Sequence, residues 1–487
     1  MTTTPTIDVE AFDAAALRSQ SKRTALTPLF GLAFALGGLR IGLAKLDDNS
    51  FLWHFRTGRL ILDEGIPHRD VYSYTVPGAK WIAQSWLAEA AYAVADRFAG
   101  PLGIRLMIGA LGAALGWLMW TSALHAAADR LRAAGVTLVA FVVAMNIFGE
   151  RPLAFGLVAA ALLVIAIERP ESVLGRLPLL TFPLLFWVWG NTHGSMSLGF
   201  AYVALHLVGR WFDGARPWVA GRERSLAVGS LVAGAAIALN PYGPMLLVFP
   251  FDLLSRGEVL RDVREWMSPD FRSPLGMAFG AWIALALVAL ARGRHRVTRR
   301  DALIVVAFVL LGLWAQRNVA LAAIFGLPIV ARAFAGTRRA EDANPRFVQA
   351  IALSLVALAG TFVLTAVNEP DFDLRDYPTK ALEFVDDQGR IGERIFMSDR
   401  DGGFAIAKYW PRTRVFLDDR FDMYPASVVT EYEDVARARP GWDEVLADRE
   451  VTLVVWERRG SLVQLLELSP DWARIYSDKD FVVYERV

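Results

Sequence analysis

The sequence predicts an α-helical multi-pass membrane protein of about eleven transmembrane helices, followed by a small soluble α/β domain. Of its 487 residues, 54% are hydrophobic and only 21% are charged. A water-soluble chain of this length would need more charge on its surface. The formal net charge of +1 says little about partners, and nucleic acid is not expected among them. Cysteine is absent, which excludes disulfides and thiolate metal sites.

Eleven apolar runs account for the predicted transmembrane helices. They lie at residues 25–43, 102–124, 136–148, 153–167, 177–190, 195–208, 226–239, 275–291, 302–314, 319–334 and 347–367. Several are shorter than the ~20 residues that usually span a bilayer, so the count holds to within one or two. The polar segment 1–24 includes Lys22 and Arg23, and no convincing cleavage site of the signal-peptide type follows it. We therefore expect a retained first span.

The loop arginines predict which side of the membrane each loop faces. With the N-terminus in the cytoplasm, the inner loops hold Arg130, Arg132, Arg169, Arg176, Arg210, Arg216, Arg222, Arg224, Arg292, Arg294, Arg296, Arg299, Arg300, Arg332, Arg338, Arg339 and Arg346. The short outer turns hold only Arg151 and Arg317. Because cytoplasmic loops are enriched in Lys and Arg, this bias places segment 1–24 inside and residues 368–487 outside.

The first outer loop is too long and too polar to be a simple connector. It covers residues 44–101 of a transmembrane domain that extends over 25–367. Apolar residues around Phe51 and Phe55 alternate with basic ones, a pattern that predicts an amphipathic helix lying in the membrane interface. A second helix is expected at 85–97.

The C-terminal segment, residues 368–487, alternates strand-like with helix-like runs. Strands are predicted at 394–398, 413–417, 452–456 and 481–484, and helices at 378–388, 428–438 and 462–468. Such alternation is typical of a small α/β domain. The predicted topology makes this domain extracytoplasmic.

The unusual polar residues of the chain fall on the outer side under this topology. Ionisable and amide groups at membrane depth are costly, so their convergence on one side indicates a functional site. The candidates are Asp47, Asp48, His54, Arg151, Asn191, His193, Glu265 and Arg317. Each has a structural alternative, because acidic residues can be solvated, histidine and asparagine can cap helices or be buried, and arginines can snorkel to headgroups.

A carboxylate beside arginines suits the transfer of a group from a phosphate-linked lipid. Asp48 can act as the general base toward an acceptor hydroxyl, with Asp47 and His54 as further catalytic candidates. Arg151 and Arg317 can hold the donor phosphate by bidentate hydrogen bonds, together with the three remaining polar candidates. Alternatively, Asp47 and Asp48 can hold a divalent cation such as Mg²⁺ or Mn²⁺, with His54 or Glu265 completing the ligand shell. The residues alone leave both roles open.

The first outer loop also carries a recognisable motif. It reads Asp48, His54, Gly58, Ile66-Pro67, Asp70, Tyr72-Ser73-Tyr74-Thr75 and Trp86-Leu87-Ala88-Glu89. Later matching elements are Trp189-Gly190-Asn191-Thr192-His193-Gly194, Asn240-Pro241-Tyr242-Gly243, Glu265-Trp266, Arg317-Asn318, Gly402-Gly403 and Asp418-Asp419-Arg420. On these residues the chain resembles the GT-C superfamily of integral membrane glycosyltransferases, and most closely a bacterial group within it. Relatives often carry a second acid where this chain has Ser50, which favours a single base over a pair of spaced acids.

This resemblance implies an enzyme of the bacterial plasma membrane that uses a polyprenyl-phosphate-linked sugar as donor and an extracytoplasmic acceptor. Superfamily members place an acidic catalytic motif in the first outer loop, which fits Asp48. One alternative is a transporter or flippase of lipid-linked glycans, which needs polar residues leading to both membrane faces. Another is a non-catalytic subunit of a glycan assembly complex. The polar candidates gather at one end of the spans, which favours the enzyme.

A reporter fusion tests the predicted topology. A reporter fused after Val487 should behave as extracytoplasmic, because an odd number of spans puts the two ends of the chain on opposite sides. The same reporter inserted after Arg216 should behave as cytoplasmic. Paired alkaline phosphatase and fluorescent-protein fusions at the two positions provide the measurement, and a cytoplasmic signal at Val487 would contradict the span count.

Overall fold

A computed structural model shows a mostly helical chain with a small sheet near its C-terminal end. It describes residues 26–219, 221–260, 263–293, 297–336 and 344–487. The predicted fold class is confirmed in this general form. Segment 1–24 lies outside the described residues, as do four arginines of the predicted inner loops, Arg294, Arg296, Arg338 and Arg339.

The helices up to residue 368 follow the apolar runs of the sequence. They are α1 Thr27–Gly42, α2 Asn49–Glu64, α3 Trp86–Ala127, α4 Arg130–Met145, α5 Leu153–Glu168, α6 Val173–Arg176, α7 Pro178–Thr192, α8 Met196–Phe212, α9 Arg222–Ile237, α10 Met245–Ser255, α11 Gly257–Leu260, α12 Pro274–Arg292, α13 Arg299–Trp314, α14 Val319–Ala333 and α15 Pro345–Asn368. Each of the eleven predicted runs coincides with one helix. Helices α6, α10 and α11 were not predicted, because with 4, 11 and 4 residues they are too short to count as spans.

Among the described residues, three helices are long and apolar enough to cross a membrane, namely α3, α12 and α15. Helices α1, α5 and α10 are apolar but shorter. The chain is therefore a membrane protein by the composition of its helices. The number of helices that cross the bilayer stays a prediction.

Helices α1 and α3 cross so closely that glycine is required on both. A Cβ atom on Gly38 would overlap the carbonyl oxygen of Gly112, and one on Gly112 would overlap that of Gly38. Small residues permit such contacts where lipid removes the hydrophobic drive between helices. Arg105 on α3, fully buried, donates to the carbonyl oxygens of Leu43 and Ala366, each at 2.8 Å. These bonds join the C-terminal ends of α1 and α15 to α3.

The C-terminal segment forms a small α/β unit. Its helices are α16 Thr379–Asp387, α17 Asp399–Tyr409, α18 Ala426–Ala436, α19 Trp442–Asp448 and α20 Ser461–Leu468. Its strands are β1 Ile395–Phe396, β2 Leu453–Glu457, β3 Trp472–Ser477 and β4 Phe481–Arg486, in the order β1-β2-β4-β3. Strands β1 and β2 are parallel, and the other neighbours are antiparallel. We call residues 369–487 the tail.

The structure corrects several predicted elements of the tail. Segment 413–417, predicted as a strand, makes bridges only at Val415, which pairs with Ser73 of the first loop and with Ile395 of β1. Helices α17 and α19 and strand β3 were not predicted. The Gly402-Gly403 pair explains the omission of α17, since glycine disfavours a helix interior.

Part of the predicted first outer loop is buried against the rest of the protein. Helix α2, predicted to lie in the membrane interface, is instead packed between α3 and α17. Its apolar residues Phe51 and Phe55 are buried there. The second predicted helix, 85–97, is the first part of α3, which kinks at Ala99 and Gly100. Gly100 has a φ of +62°, a conformation that glycine adopts without steric cost.

The crossing of α1 and α3 gives a stability prediction. Gly112→Leu should destabilise the protein by about 1–3 kcal/mol, because the side chain must displace the backbone of α1. Gly135→Leu on α4 is the matched control, since nothing lies within 4 Å of an added Cβ there. Thermal unfolding midpoints in detergent compare the two variants, and equal shifts would contradict the close crossing.

Candidate active site

A cavity of about 1070 Å³ lies between the helices and the tail. Seven of the eight predicted site residues line it: Asp47, Asp48, His54, Arg151, His193, Glu265 and Arg317. They come from the start of α2, the turns before α5 and after α7, and the 3₁₀ turns Arg264–Trp266 and Gln316–Asn318. The structure thus brings together residues that the sequence predicted only to share one side.

Asp48 is held by two strong contacts. Its Oδ1 accepts a hydrogen bond from the backbone N–H of Phe51 at 3.0 Å and caps α2. Its Oδ2 accepts from Nε of Arg151 at 2.6 Å. Arg151 is also ion-paired with Glu265. Both oxygens of the predicted base are therefore engaged, and Arg151 sits between two carboxylates.

The divalent cation considered at Asp47 and Asp48 stays a prediction. Oε1 of Glu150 accepts from the backbone N–H groups of Asp47 and Asp48, each at 2.9 Å, and so fixes the loop rather than facing a metal. Asp47 is exposed, and its carbonyl oxygen accepts from the hydroxyl of Tyr377 at 2.7 Å. Within the described part of the chain, no group of three or more His, Asp or Glu side chains could hold a metal ion.

His54 pairs with a buried carboxylate outside the predicted site set. Its Nδ1 lies 2.6 Å from Oε1 of Glu89, whose side chain is 1% exposed. Gly58, one turn further along α2, permits this contact because a Cβ there would overlap the carbonyl oxygen of Glu89. Burial, with the positive charge of Arg151 nearby, holds the pKa of His54 well below its usual range. The first-loop motif contained Glu89, but only the fold pairs it with His54.

The turn after α7 brings His193 to the cavity but not Asn191. Nδ1 of His193 accepts from the backbone N–H of Ser195 at 3.1 Å, and burial lowers the pKa of His193 to about 3. Asn191 is fully buried, accepts from Nε1 of Trp86 at 2.7 Å and donates to the carbonyl oxygen of Trp187 at 2.7 Å. Its placement between α3 and α7 does not support the predicted contact with a donor phosphate.

Arg317 is a cation with no ion-pair partner among the described residues, and the carboxylate of Asp422 acts on it only from a distance. Its guanidinium lies 4.5 Å from the centre of the Trp266 ring, and no described carboxylate is within ion-pair distance of it. Burial, with Arg151 nearby, lowers the pKa of Arg317 to about 10, so the side chain stays cationic at neutral pH. A partly buried cation of this kind is suited to an anionic ligand.

Part of the cavity wall is apolar. It is formed mainly by Phe249, Pro250, Leu253 and Leu254 of α10, with Leu275 of α12 and Trp314 of α13. Leu254 is 46% exposed, and neighbouring side chains of α10 such as Val248 and Phe251 are also exposed. A single cavity therefore offers both cationic groups and a hydrophobic surface.

The tail supplies site residues that the predicted set lacks. Oδ2 of Asp419 accepts from Nδ2 of Asn49 at 2.9 Å and from the hydroxyl of Ser50. Its Oδ1 accepts from Nε1 of Trp53 at 2.5 Å, and burial raises the pKa of Asp419 to about 7. Asp422 lines the same cavity. The acidic run around Asp419 was visible in the motif, yet its role depends on contacts with α2, which lies far away in the sequence.

Arg420 fastens the tail to the first outer loop. Its fully buried guanidinium donates to Asp70 at 2.8 Å and to Asp418 at 2.7 Å. It also lies 4.5 Å from the ring centre of Trp81 and 5.0 Å from that of Tyr72. Removing one partner of such a cluster leaves a buried charge uncompensated, so the contact is strongly specified. The Arg420 contact thereby holds Asp419 next to α2.

A second ionic cluster lies at the far end of the helices. Glu168, at the end of α5, pairs with Arg300 at 2.9 Å and with Arg332. Asp301 pairs with the same two arginines, at 2.5 and 2.8 Å. Because α5 begins beside Arg151, this cluster lies one helix length from the cavity. Its charges are neutralised within the protein.

Two comparisons by sequence found no match for the chain, whereas a comparison by structure found several. No family model matches the sequence, and no curated protein does. The archaeal oligosaccharyltransferase AglB from Archaeoglobus fulgidus matches in structure with a TM-score of 0.57 and 11% identity. The match covers 94% of this chain and 74% of AglB, in a complex with an inhibitory peptide and a dolichol-phosphate.

ArnT from Cupriavidus metallidurans gives a similar match. In the apo state it has a TM-score of 0.52 and 14% identity, covering 94% of this chain and 97% of ArnT. The structure bound to undecaprenyl phosphate matches equally, over 95% of this chain and 98% of ArnT.

The chain has the GT-C fold. The resemblance inferred from the first-loop motif is thereby confirmed for the fold, which AglB and ArnT share over most of its length. At 11–14% identity this likeness concerns the fold and assigns no residue roles.

The buried arginine of the tail gives a second stability prediction. Arg420→Met should destabilise the docked tail by about 3–5 kcal/mol, because Asp70 and Asp418 then lose their counter-charge. Arg439→Met removes an exposed ion pair with Asp434 and should cost less than about 1 kcal/mol. Limited proteolysis in detergent should show faster release of the tail in the first variant only. Equal cleavage of both variants would contradict the anchoring role of Arg420.

Proposed function

We propose that this GT-C protein is a membrane glycosyltransferase that moves a sugar from a polyprenyl-phosphate donor to an extracytoplasmic acceptor. One observation carries the proposal: the cavity combines Arg317, which has no ion-pair partner among the described residues, with the apolar wall formed by α10. A lipid phosphate has the same two parts, an anionic head and a hydrocarbon chain. The dolichol-phosphate with AglB and the undecaprenyl phosphate with ArnT support this choice of donor class.

Arg317 and Arg151 take the donor phosphate in this proposal. Arg317 has no ion pair to break among the described residues, although Asp422 lies near enough to act on its charge. Arg151 is held by Asp48 and Glu265, so a phosphate must share the guanidinium with them or displace one. Arginine can serve several acceptors at once because its planar group carries five N–H donors. Asp48 then acts chiefly by orienting Arg151, and the predicted role of Asp48 as general base is open to test.

The alternative functions receive less support. A transporter needs a polar path between the membrane faces. At the far end of the helices, the charges of Glu168, Arg300, Asp301 and Arg332 instead pair with one another. A non-catalytic subunit would not need Arg317, with no ion-pair partner in the described part of the chain, beside an apolar wall. We place the cavity on the outer face of a bacterial plasma membrane, in line with the arginine bias of the loops.

Donor binding gives the next prediction. Arg317→Lys should weaken the affinity for undecaprenyl phosphate tenfold to a hundredfold, corresponding to about 1.5–3 kcal/mol for a hydrogen bond to a charged group. Lysine keeps the charge but loses the planar, bidentate geometry. Titration of the detergent-solubilised protein with undecaprenyl phosphate measures the change.

Arg272→Lys is the matched control, since this exposed arginine lies outside the cavity. If Arg317→Lys binds undecaprenyl phosphate as tightly as wild type, Arg317 is a snorkelling arginine rather than a phosphate ligand. Mass spectrometry of surface glycans and lipids from a deletion strain tests the reaction itself. Loss of one sugar, restored by the wild-type gene and not by Arg317→Ala, is the expected result, and an unchanged glycan profile would argue against transferase activity.

A further inference from the structure

We propose that His54 and Glu89 form the proton-accepting pair of this active site, with His54 as the catalytic residue and Glu89 as its positioning residue. The inference rests on the proposed glycosyl transfer and assigns the step that deprotonates the acceptor hydroxyl. It follows from which polar groups of the cavity are already engaged and which are left to react.

Three carboxylates of the cavity, those of Asp48, Asp419 and Glu265, are occupied. Asp48 uses one oxygen to cap α2 and the other to hold Arg151. Asp419 has both oxygens bonded to residues of α2. Glu265 is ion-paired with Arg151. A base must offer a lone pair to the substrate, so these acids would first have to break existing contacts.

His54 offers such a lone pair. Its Nδ1 is taken up by Glu89, which leaves Nε2 as the reactive nitrogen. The side chain lines the cavity and is 12% exposed, so it remains accessible from that side. Its ring lies 3.6 Å, centre to centre, from the Trp53 ring, and this contact limits its rotation. Trp53 is itself fixed by the bond of its Nε1 to Asp419.

Glu89 has the features of an orienting carboxylate. It is completely buried, its Oε1 contacts His54, and its Oε2 has no hydrogen-bond partner. A buried acid with an unpaired oxygen lowers the stability of the fold, and a purely structural role would not offset that loss. An acid behind the imidazole does have a use, because it fixes the tautomer with the proton on Nδ1 and stabilises the imidazolium that forms.

The proposed reaction transfers the sugar from the phosphate oxygen of the donor to the acceptor oxygen. The acceptor oxygen attacks the anomeric carbon of the donor sugar, and the bond between that carbon and the phosphate oxygen breaks. The bonding electrons leave with the polyprenyl phosphate, whose added negative charge faces Arg317. The acceptor proton moves to Nε2 of His54, and the resulting imidazolium is paired with the carboxylate of Glu89.

Several charges face His54 and set its response to pH. They are Glu89 on α3, 2.6 Å from Nδ1, and, further away, Arg151 before α5, Arg420 of the tail and His193 after α7. The two arginines favour the neutral imidazole, whereas an ionised Glu89 favours the imidazolium. Burial raises the pKa of Glu89 well above its usual range, so the pair accepts a proton only at a pH where Glu89 is ionised. Since the base must be neutral to accept a proton, activity should rise with pH through the apparent pKa of the pair.

Two variants test the pair through release of undecaprenyl phosphate from a panel of undecaprenyl-phosphate sugars, with deletion-strain membranes as acceptor. His54→Asn should lower kcat about 10²- to 10⁴-fold, the usual contribution of a general base. Its affinity for undecaprenyl phosphate should stay within about twofold of wild type, because the phosphate lies on the arginines. Free imidazole should partly restore turnover to His54→Ala.

Glu89→Gln keeps a hydrogen-bond acceptor for Nδ1 but removes the negative charge. Its kcat should fall about tenfold or more, and the acid limb of its pH profile should move to lower pH. His68→Asn is the matched control, since His68 belongs to the first loop but lies outside the cavity. Asp48→Asn, which still caps α2, should weaken donor affinity and leave the acid limb in place.

The possible outcomes distinguish a failure of the His54–Glu89 pair from a failure of the proposed function. Transfer by wild type with unchanged turnover in His54→Asn would overturn the pair and leave the transferase intact. Loss of donor affinity in parallel with turnover in Glu89→Gln would give the pair a structural role and also overturn it. An acid limb that disappears in Asp48→Asn would return the base to Asp48. Absence of release by wild type from every donor would overturn the proposed function and the pair together.

Discussion

The buried contact of Arg420 with Asp70 and Asp418 is the constraint on which the site depends. It joins a loop near the start of the chain to the tail near its end, inside a shell of aromatic rings. Because all three charges are shielded from water, they are tolerated only in this mutual arrangement. The geometry that follows from it is the docking of the tail on α2, with Asp419 bonded to Ser50 and Trp53. Held there, the tail forms one wall of the cavity.

The membrane explains how the remaining charges are distributed. Apolar helices leave few places for ionisable groups, so these collect where helices end. At one end the charges of Glu168, Asp301, Arg300 and Arg332 neutralise one another. At the other end Arg317 forms no ion pair among the described residues and is acted on only from a distance by Asp422. A protein that binds an anionic lipid at one face only is expected to show this contrast.

The fold persists in AglB and ArnT although only 11–14% of residues are identical. Helix packing in a bilayer requires apolar surfaces and small residues at crossings, conditions that many sequences meet. The turns that build the cavity are under other constraints, because each contributes one or two polar groups with a defined partner. The fold therefore fixes where a site can form, while the turns decide its chemistry.

The sequence alone determined the class of the protein, the eleven apolar helices and the set of polar residues that share one end of them. These follow from local composition, which the bilayer selects directly. The sequence did not reveal that Asn191 is buried away from the cavity, that α2 is enclosed by protein, or that Glu89 stands behind His54. Such facts depend on contacts between distant segments, and the close approach at Gly58 shows why. A glycine can be read from the sequence, but only the tertiary structure decides which surface packs against it.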